Sequence, residues 1–475
     1  MNKNQIIRTF QYLILVSNLV AANLPAQDTT AQNKESFNMI AQDLIKEYVD
    51  DSNGVGAAVA IIEDGEIRFF VYGKKSFKRH DLISEDTIFE IGSITKVFTA
   101  MILMDMVIKQ QVQLDNPIEM YLPDIKIPDY AGKKITLRHL ATHTSGFPRM
   151  PSNFAPKDPS NPFLDYKIES LYSYLNNCSL TKAPGESFEY SNIGMGLLGH
   201  ILSLRLGKSY EILIQDLITE HLNMTNTFIT LDSSKHADFA SGHHLQKEVS
   251  HWDIPGLMGA GALRSTIKDM ANFLAANMIE LESPVNNILQ QCHKKQYSPM
   301  SGFSVGLGWL LSNSNNTEII WHNGGTGGFR SYIGFNPKAK RGIVILANST
   351  EDWPDEFGLL MLDPNYQRPV IDKALANDSD YLNRFAGSYE ATLTRNSSKQ
   401  KLEISVFGKL LGSALSGGEV GMLYPKSFYV FGVKGFPDGE VHFILNPSGD
   451  IEKVKASLIS SGILLWEAIP CQKAE

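Results

Sequence analysis

Three short stretches of the chain combine residue types that support nucleophilic acyl transfer. The first is FEIGSITK, in which Ser93 and Lys96 lie three residues apart at the head of a mostly apolar helical run. This spacing puts both side chains on one helix face, one turn apart. A serine hydroxyl needs a neighbour to take its proton, and apolar surroundings lower the pKa of a lysine toward that role. Taken alone, the pattern also fits a capped helix start with a surface lysine.

The second stretch is FEYSNIGMGLLGHIL, in which Tyr190 and Asn192 stand directly before an amphipathic helical run. A phenol and a carboxamide at this spacing can enter the same cleft. The ordinary pKa of a phenol is near 10, and a lysine ammonium beside it lowers that pKa. We therefore expect Tyr190 to shuttle a proton during the reaction. The alternative is a half-buried tyrosine followed by an N-cap asparagine.

The third stretch is WHNGGTGGFR, from Trp321 to Arg330. A phosphate loop of the Walker type closes with Lys-Ser/Thr at a helix start, whereas an aromatic, β-branched run follows here. Two interpretations remain, a catalytic element centred on His322 and a tight turn between strands. In the catalytic interpretation the small residues let substrate lie against backbone N–H groups. Arg330 is then either a surface residue or an additional positive charge at the site.

The remaining pattern indicates the elements that would position these residues. Residues 36–50 and 94–108 have helical periodicity, and two apolar runs flank Asp64-Gly65 as in a β-hairpin. Residues 110–300 read as helical pieces and proline-rich loops, after which strand signals resume at VGLGWLL, TEIIWH, FRSYIGFNP and RGIVILAN. The prediction is an α+β fold: an α/β sandwich whose antiparallel sheet comes from both ends of this region, with an inserted helical lobe and a cleft alongside.

The chain is predicted to contain two domains behind a leader. Lys3, Arg8, an apolar run and Ala26 predict a signal peptide at residues 1–27, with an uncleaved membrane anchor as the alternative. The α+β domain spans residues 36–362, and residues 363–379 form a linker. Short strands separated by turn residues predict a small all-β domain, a barrel or a sandwich, at residues 380–475.

Composition narrows the function classes. The hydrophobic content of 43%, the charged content of 20% and the net charge of −8 are typical of a soluble globular protein and give no argument for nucleic acid or an anionic membrane. Cys178, Cys292 and Cys471 allow one disulfide or none. The cysteines lack metal-ligand spacing, and the histidines at 243, 244 and 251 are assigned to a solvated loop. No metal or other cofactor is implied.

The order Ser-x-x-Lys, Tyr-x-Asn, His-x-Gly resembles that of the penicillin-recognising serine hydrolases, particularly class C β-lactamases and their D-amino-acid peptidase and esterase relatives. The phrases LRHLATHTSGF and GAGALRSTIKDMANF resemble the same family, and the resemblance covers roughly residues 36–360. It implies that Ser93 is the acylated nucleophile and that Lys96 helps to deprotonate it. Tyr190 would be a general base in acylation and deacylation, and Asn192 would bind the substrate amide.

The third motif departs from the β-lactamase pattern. His322 stands where those enzymes have the lysine of a Lys-Thr-Gly element, Gly324 completes the element, and the N–H of Gly325 would join that of Ser93 in an oxyanion hole. A histidine is mostly neutral at pH 7, so a fixed positive charge facing a substrate carboxylate is missing at this position. With histidine at this position, the element resembles that of the peptidase and esterase branches, which puts strong β-lactamase activity in doubt.

The functional prediction is an exported serine hydrolase, periplasmic or secreted, that acts through a covalent acyl-enzyme on a β-lactam or a related amide or ester. One alternative is a carboxylesterase acting on simple esters. Another is a penicillin-binding sensor that is acylated at Ser93 without efficient turnover. The expected partner is a small-molecule or peptide substrate, with no stable membrane span after leader cleavage and no oligomeric state predicted. The all-β region, beginning RFAGSYE, resembles the lipocalin-like domain appended to some of these hydrolases.

Overall fold

The computed structural model describes part of the chain, and the predicted signal peptide lies outside it. The described residues are 29–51, 54–244, 246–279, 284–314, 317–350, 353–364, 366, 373–376, 378–393, 398–407, 410–415, 421–427, 429–433, 436–446, 450–458 and 464–471. Statements about absence below refer to these residues.

Most of the helices lie in the first two thirds of the described chain, and three more follow the main sheet. They are α1 (Thr29–Lys46), α2 (Thr95–Ile108), α3 (Leu137–Ala141), α4 (Ile168–Asn177), α5 (Asn192–Leu206), α6 (Tyr210–Ile214), α7 (Met258–Gly261), α8 (Ile267–Met278), α9 (Pro284–His293), α10 (Trp353–Leu362), α11 (Lys373–Ala376) and α12 (Ser379–Asn383). A 3₁₀ turn, Gly92–Ile94, leads directly into α2. The helix predicted at residues 94–108 is therefore confirmed, with its first turn wound more tightly.

Strands fall into two main groups. The first group is β1 (Gly56–Glu63), β2 (Glu66–Gly73), β3 (Ile88–Glu90), β4 (Gly242–His244), β5 (Lys247–Val249), β6 (Arg264–Thr266), β7 (Tyr297–Met300), β8 (Phe303–Val305), β9 (Leu310–Ser314), β10 (Thr317–Gly325), β11 (Arg330–Asn336) and β12 (Arg341–Ala347). The second group is β13 (Gly387–Leu393), β14 (Lys399–Phe407), β15 (Leu410–Leu415), β16 (Gly421–Ser427), β17 (Val430–Val433), β18 (Phe436–Leu445), β19 (Ile451–Leu458) and β20 (Leu464–Pro470).

The main sheet draws its strands from both ends of the first domain. Its order is β2-β1-β12-β11-β10-β9-β8-β7, and the pairings are antiparallel. The β1–β2 hairpin turns at Asp64 and Gly65, whose φ values are 50° and 83°. Positive φ at both central residues is what a two-residue type I′ hairpin requires, and Asp-Gly adopts it readily. The predicted hairpin and the predicted sheet assembly are both confirmed.

The sheet is a middle layer with a core on each face. Residues of β1 alternate between the two cores, so this strand, next to the edge strand β2, is buried along its whole length. One core joins the sheet to α2, α8 and the helical lobe. In the other, Tyr48 and Trp353 stack with ring centroids 4.4 Å apart beneath Phe357. The α/β sandwich with its inserted helical lobe is thus confirmed, and it explains why a helix as apolar as α2 can run through the interior.

The run VGLGWLL is not the single strand that its apolar character predicts. The chain leaves β8 at Val305 and re-enters the sheet only at Leu310. Between them, Gly308 has φ +69° and its N–H donates to the carbonyl of Ala141 at 3.1 Å. A tertiary contact to the helical lobe therefore interrupts the ladder, and local strand propensity cannot reveal it.

The second group of strands closes into a barrel in sequential order, β13 through β20. Each strand pairs antiparallel with its neighbours, and β13 pairs with β20 to remove the free edges. Its interior is packed with aromatic rings, among them Phe385, Phe431 and Phe443. The all-β prediction is confirmed, and of the two architectures left open, a barrel or a sandwich, the structure has the barrel.

Three further expectations have outcomes in the described residues. The cysteines are free, so the disulfide alternative is wrong. His243 is buried, with Nδ1 2.9 Å from the carbonyl oxygen of Asn348, so assigning it to a solvated loop was also wrong. Within the described part, no helix combines the length and apolar character needed to cross a membrane.

Candidate active site

The predicted nucleophile lies on the tight turn that opens the central helix. Ser93 is the middle residue of the 3₁₀ turn and is half-buried, whereas the residues after it are buried. Thr95 fixes this turn, since its hydroxyl donates to the carbonyl of Gly92 at 2.7 Å and accepts from the N–H of Leu263 at 3.1 Å. The hydroxyl of Ser93 is thus held at the start of a buried helix while remaining reachable.

The amine of Lys96 lies against Ser93 in the protein interior. Lys96 is 0% exposed, and its Nζ donates to Ser93 Oγ at 2.8 Å and to the carbonyl of Ala260 at 2.6 Å. Burial, and then the positive charge of Arg149, hold the pKa of this lysine well below its ordinary value. An unprotonated amine keeps an N–H for Ala260 and can turn its lone pair toward the serine proton.

Tyr190 is the third member of this cluster. The Nζ of Lys96 lies 4.9 Å from the centre of its ring. Burial raises the pKa of Tyr190 to about 12, although a hydrogen bond with Ser93 and the charge of Arg149 act in the opposite direction. The sequence-based expectation that a lysine ammonium would lower this pKa is therefore wrong, because desolvation outweighs the nearby charges. Tyr190 is a neutral phenol at pH 7.

His143 was not identified from sequence, yet it contacts Tyr190 and both of its chain neighbours. Its carbonyl accepts from the N–H of Glu189 at 2.8 Å, and its Nδ1 accepts from the N–H of Ser191 at 3.1 Å. Its ring stacks on Tyr190 with centroids 4.4 Å apart. Burial and nearby positive charges keep the pKa of His143 well below its ordinary value, so the ring is neutral. The signal lay in LRHLATHTSGF, but only the fold shows what this histidine contacts.

Asn192 begins α5 beside the same segment. Ser191, not Asn192, caps the helix by accepting from the N–H of Gly194, so the N-cap alternative for Asn192 is wrong. The Nδ2 of Asn192 lies 3.5 Å from the sulfur of Met150, and its backbone N–H donates to the carbonyl of Arg149 at 3.1 Å. The half-buried carboxamide is therefore held by a weak sulfur contact that a substrate amide can replace.

Strand β10 carries the first part of the third motif and places His322 opposite Tyr190. The two ring centroids are 6.2 Å apart, and His322 is 0% exposed. Its Nδ1 lies 2.6 Å from the carbonyl oxygen of Asn323, and its Nε2 is buried with no hydrogen-bond partner in the described structure. Burial is the main cause that lowers the pKa of His322 to about 3. The prediction of a neutral side chain at this position is confirmed.

The glycines of this strand let it approach the nucleophile turn. A Cβ on Gly324 would lie 2.1 Å from the carbonyl oxygen of Ile91, and one on Gly92 would lie 2.7 Å from the backbone nitrogen of Gly325. Gly92 also has φ +50°, a conformation that other L residues adopt at a cost. The backbone nitrogen of Gly325 therefore lies beside the turn that carries Ser93. The phosphate interpretation has no support, since β11 follows the turn in place of a helix.

Arg330 is tied to the turn beyond these glycines. Its guanidinium donates to the carbonyls of Thr326 at 3.2 Å and Phe329 at 3.1 Å. The side chain is half-buried at the start of β11. These two bonds explain Arg330 as a residue that stabilises the turn between β10 and β11.

Comparisons with known proteins identify the family of this chain. The Beta-lactamase family model matches residues 41–363, which hold all seven predicted site residues. The chain belongs to the Beta-lactamase family. A beta-lactamase of Psychrobacter immobilis is 29% identical over 380 residues, covering 70% of this chain and 88% of that protein. The D-alanyl-D-alanine-carboxypeptidase/endopeptidase AmpH of Escherichia coli K12 is 27% identical over 325 residues, covering 64% of this chain and 83% of that protein.

A solved structure shares the fold of the Beta-lactamase family domain. The beta-lactamase/D-alanine carboxypeptidase from Pseudomonas syringae aligns with a TM-score of 0.60 and 23% identity, covering 67% of this chain and 96% of that one. Family relatives thus include proteins named for β-lactams and proteins named for D-alanyl peptides. Within the described residues, no group of three or more His, Cys, Asp or Glu side chains is arranged to hold a metal ion.

Proposed function

We propose that this member of the Beta-lactamase family is an exported serine hydrolase that cleaves amides or esters through an acyl-enzyme at Ser93. The observation that carries the proposal is the fully buried amine of Lys96, 2.8 Å from the serine hydroxyl. A lysine held in this way has little reason to be buried unless its neutral form is used. The Tyr-x-Asn motif beside it is the feature that points to the class C branch.

In the acylation step, the Ser93 oxygen forms a bond to the substrate carbonyl carbon while its proton passes to the amine of Lys96. The N–H groups of Ser93 and Gly325 stabilise the oxyanion. Collapse breaks the bond to the leaving group, which receives a proton through Tyr190. Because Tyr190 is a neutral phenol, we assign it proton transfer and assign the base role to Lys96.

In deacylation, water adds to the acyl carbon, loses its proton to the same Lys96–Tyr190 pair, and Ser93 leaves with a proton restored. Asn192 would bind the amide of the acyl group. A substrate carboxylate would find no fixed charge on His322, which is neutral. The resemblance of a histidine at this position to the peptidase and esterase branches favours D-amino-acid peptides and esters over rapid β-lactam turnover. The carboxylesterase alternative uses the same mechanism.

The test is a three-substrate panel with a chromogenic cephalosporin, a D-alanyl peptide and a p-nitrophenyl ester. We expect turnover of at least one substrate by the wild type and its loss in Ser93→Ala. Intact-protein mass spectrometry should detect a transient acyl adduct on Ser93. A persistent adduct with no product would favour the sensor alternative. No turnover and no adduct, with Ser93→Ala indistinguishable from wild type, would refute the proposal.

Export and the domain limits complete the proposal. The leader predicted at residues 1–27 is the basis for proposing export, and sequencing the N-terminus of protein recovered from the periplasm or medium tests it. Cleavage near Ala26 is expected, whereas an intact Met1 would favour the uncleaved anchor. Limited proteolysis tests the limits 36–362 and 380–475, with the first cuts expected in the linker 363–379.

A further inference from the structure

Glu90 is a buried carboxyl group three residues before the predicted nucleophile. It ends β3 and pairs across the ladder with Arg264 of β6. Both side chains are 4% exposed, and Nη2 of Arg264 lies 3.7 Å from Oε1 of Glu90. The same oxygen accepts from the N–H of Trp252 at 2.7 Å. Two segments outside β3 therefore hold this carboxyl just before the turn that carries Ser93.

The turn between β10 and β11 reaches the same carboxyl. Thr326, the residue after Gly325, is 5% exposed, and its hydroxyl is close enough to lower the pKa of Glu90. Trp252 contacts this turn as well, because a Cβ on Gly327 would lie 2.6 Å from its Nε1. Glu90 is therefore the point at which the nucleophile turn, the Trp252 segment (residues 250–254) and the turn after β10 meet.

This junction is poorly satisfied for a buried site. Within the described residues, Oε2 of Glu90, Oγ1 of Thr326 and Nε of Arg264 are buried without an aligned hydrogen-bond partner. Each such group costs stability, and a buried ion pair is often replaced by apolar side chains without loss. Stability alone therefore does not account for a carboxyl group at this place.

The charge of Glu90 changes near neutral pH. Burial raises its pKa to about 7, with a smaller contribution from Asp253, while Arg264 and Thr326 act in the opposite direction. The charged groups that face it are Arg264, from β6, and Asp253, from the Trp252 segment, which accepts from Arg264 at 3.1 Å. Once Glu90 is protonated it no longer attracts the guanidinium, and its hydrogen bond with the Thr326 hydroxyl loses the assistance of the charge. Its hold on the turn after β10 therefore weakens as the pH falls.

We propose that Glu90 is a positioning residue that ties the nucleophile turn to the turn after β10 and so keeps the N–H groups of Ser93 and Gly325 at the spacing that an oxyanion needs. The two turns meet where Gly92 approaches Gly325. Glu90 is two residues before Gly92, and Thr326 is one residue after Gly325. The inference rests on the proposed function and deepens it, because Glu90 acts through the oxyanion donors without touching substrate.

The experiment measures kcat and KM of wild type and Glu90→Gln from pH 5.5 to 8.5, on whichever substrate of the three-substrate panel wild type turns over. Glutamine has the shape of glutamate but stays uncharged. At pH 8.5 its kcat should be about 10- to 100-fold lower, and at pH 5.5 it should approach wild type, with KM within about threefold throughout. The ratio of the two enzymes removes the pH dependence that they share, including that of Lys96.

A second variant tests the link from its other end. Thr326→Val removes the hydroxyl, keeps the shape and leaves the Glu90–Arg264 pair in place, so it can decide the matter even if Glu90→Gln does not fold. Its kcat should also fall at pH 8.5 and recover toward pH 5.5. The double variant should be no slower than the slower single variant, because both changes break one link.

The matched control is Glu63→Gln, a buried carboxylate between two arginines. It pairs with Arg68 at 2.8 Å and accepts from Nε of Arg341 at 3.0 Å. The strand registers place it at the opposite end of the sheet from Gly325. Glu63→Gln should lose stability in urea unfolding but keep the wild-type kcat at every pH.

A Glu90→Gln deficit that is equal at pH 5.5 and 8.5, or absent at both, would overturn the inference and leave the hydrolase assignment standing. The same conclusion follows if the change is confined to KM, or if the losses in Glu90→Gln and Thr326→Val are fully additive. If wild type turns over no substrate of the panel and forms no adduct on Ser93, the proposed function is wrong and this inference fails with it.

Discussion

The two walls of the candidate cleft are built from different kinds of group. The helical wall, defined by Ser93, Lys96 and Tyr190, carries the side chains able to exchange protons. The strand wall, defined by His322, Gly324 and Gly325, offers backbone groups and one neutral ring. Each wall has a fully buried member, Lys96 on the helical wall and His322 on the strand wall. Burial lowers the pKa of Lys96 and raises that of Tyr190, so it favours the neutral form of both groups.

This contrast shows how the same physical effect serves two purposes. Desolvation disfavours whichever form of a group is charged, so it yields a neutral amine on the helical wall and a neutral imidazole on the strand wall. The neutral amine gains the capacity to take a proton from Ser93. The neutral imidazole loses the capacity to attract an anion, which leaves the strand wall with a role in shape and backbone hydrogen bonding.

The largest effect should come from removing the amine of the helical wall. Lys96→Met keeps an unbranched side chain of similar length but has no lone pair to take the serine proton. We expect kcat/KM to fall by about 10²- to 10⁴-fold, the usual contribution of a positioned base. The matched control is Lys109→Met at the C-terminal end of α2, where the amine pairs with Asp105 at 2.8 Å and is exposed. If Lys96→Met kept its activity, Lys96 would not be the base and another group would have to take the serine proton.

The next largest effect should come from separating the walls. In Gly92→Ala the new methyl group would meet the backbone nitrogen of Gly325 at 2.7 Å, in a left-handed conformation. Displacing an oxyanion donor costs about 10²- to 10³-fold in kcat. Gly65→Ala is the matched control, since Gly65 also has positive φ but has nothing within 4 Å of its Cβ position. It should lose stability without losing kcat, whereas equal kcat losses would indicate a general folding defect.

The helical wall was the more predictable of the two from sequence. Ser93 and Lys96 are one helical turn apart, so local geometry alone brings them together, and the hairpin at Asp64-Gly65 follows from the same kind of local rule. The distance between the walls depends on Gly92 meeting Gly325, a contact between segments far apart in the chain. Motif resemblance supplied that pairing, which periodicity and propensity could not.

Two residues near Tyr190 illustrate what sequence reasoning missed. His143 and Arg149 carry no distinctive spacing relative to Tyr190, and their roles arise from ring stacking and charge across the fold. The pKa of Tyr190 was expected to fall because its charged neighbour could be anticipated, whereas its burial could not. Long-range packing therefore decided both the neighbours of the phenol and its protonation state.

A smaller effect should appear in stability, from the neutral ring of the strand wall. The folded pKa of His322 is about 3, below the ordinary value of 6.5 that the unfolded chain should show. The stabilisation that depends on the neutral ring of His322 is therefore fully present above about pH 6.5 and is lost as the pH falls toward 3. Between pH 6.5 and 5, the unfolding free energy of wild type should fall by about 2 kcal/mol more than that of His322→Gln, as measured by urea titration.

His80→Gln, at an exposed histidine, is the control for this measurement and should lose stability with the same pH dependence as wild type. If His322→Gln also follows the wild-type curve, the ring of His322 is not held neutral by burial. The strand wall would then gain a positive charge once the pH falls below about 6.5, and the contrast between the two walls would hold only above that pH.

The smallest effect should come from the arginine at the end of the strand wall. Arg330→Gln removes the guanidinium that donates to the carbonyls of Thr326 and Phe329, so we expect a loss of about 1 kcal/mol in unfolding free energy, measured by urea titration. The KM values for the three-substrate panel should remain within about threefold of wild type, since the guanidinium is bonded to the carbonyls of the turn. A rise in KM of more than about tenfold in Arg330→Gln, with little change in unfolding free energy, would instead assign this guanidinium to substrate binding on the strand wall, because a residue that only stabilises the turn leaves substrate affinity unchanged.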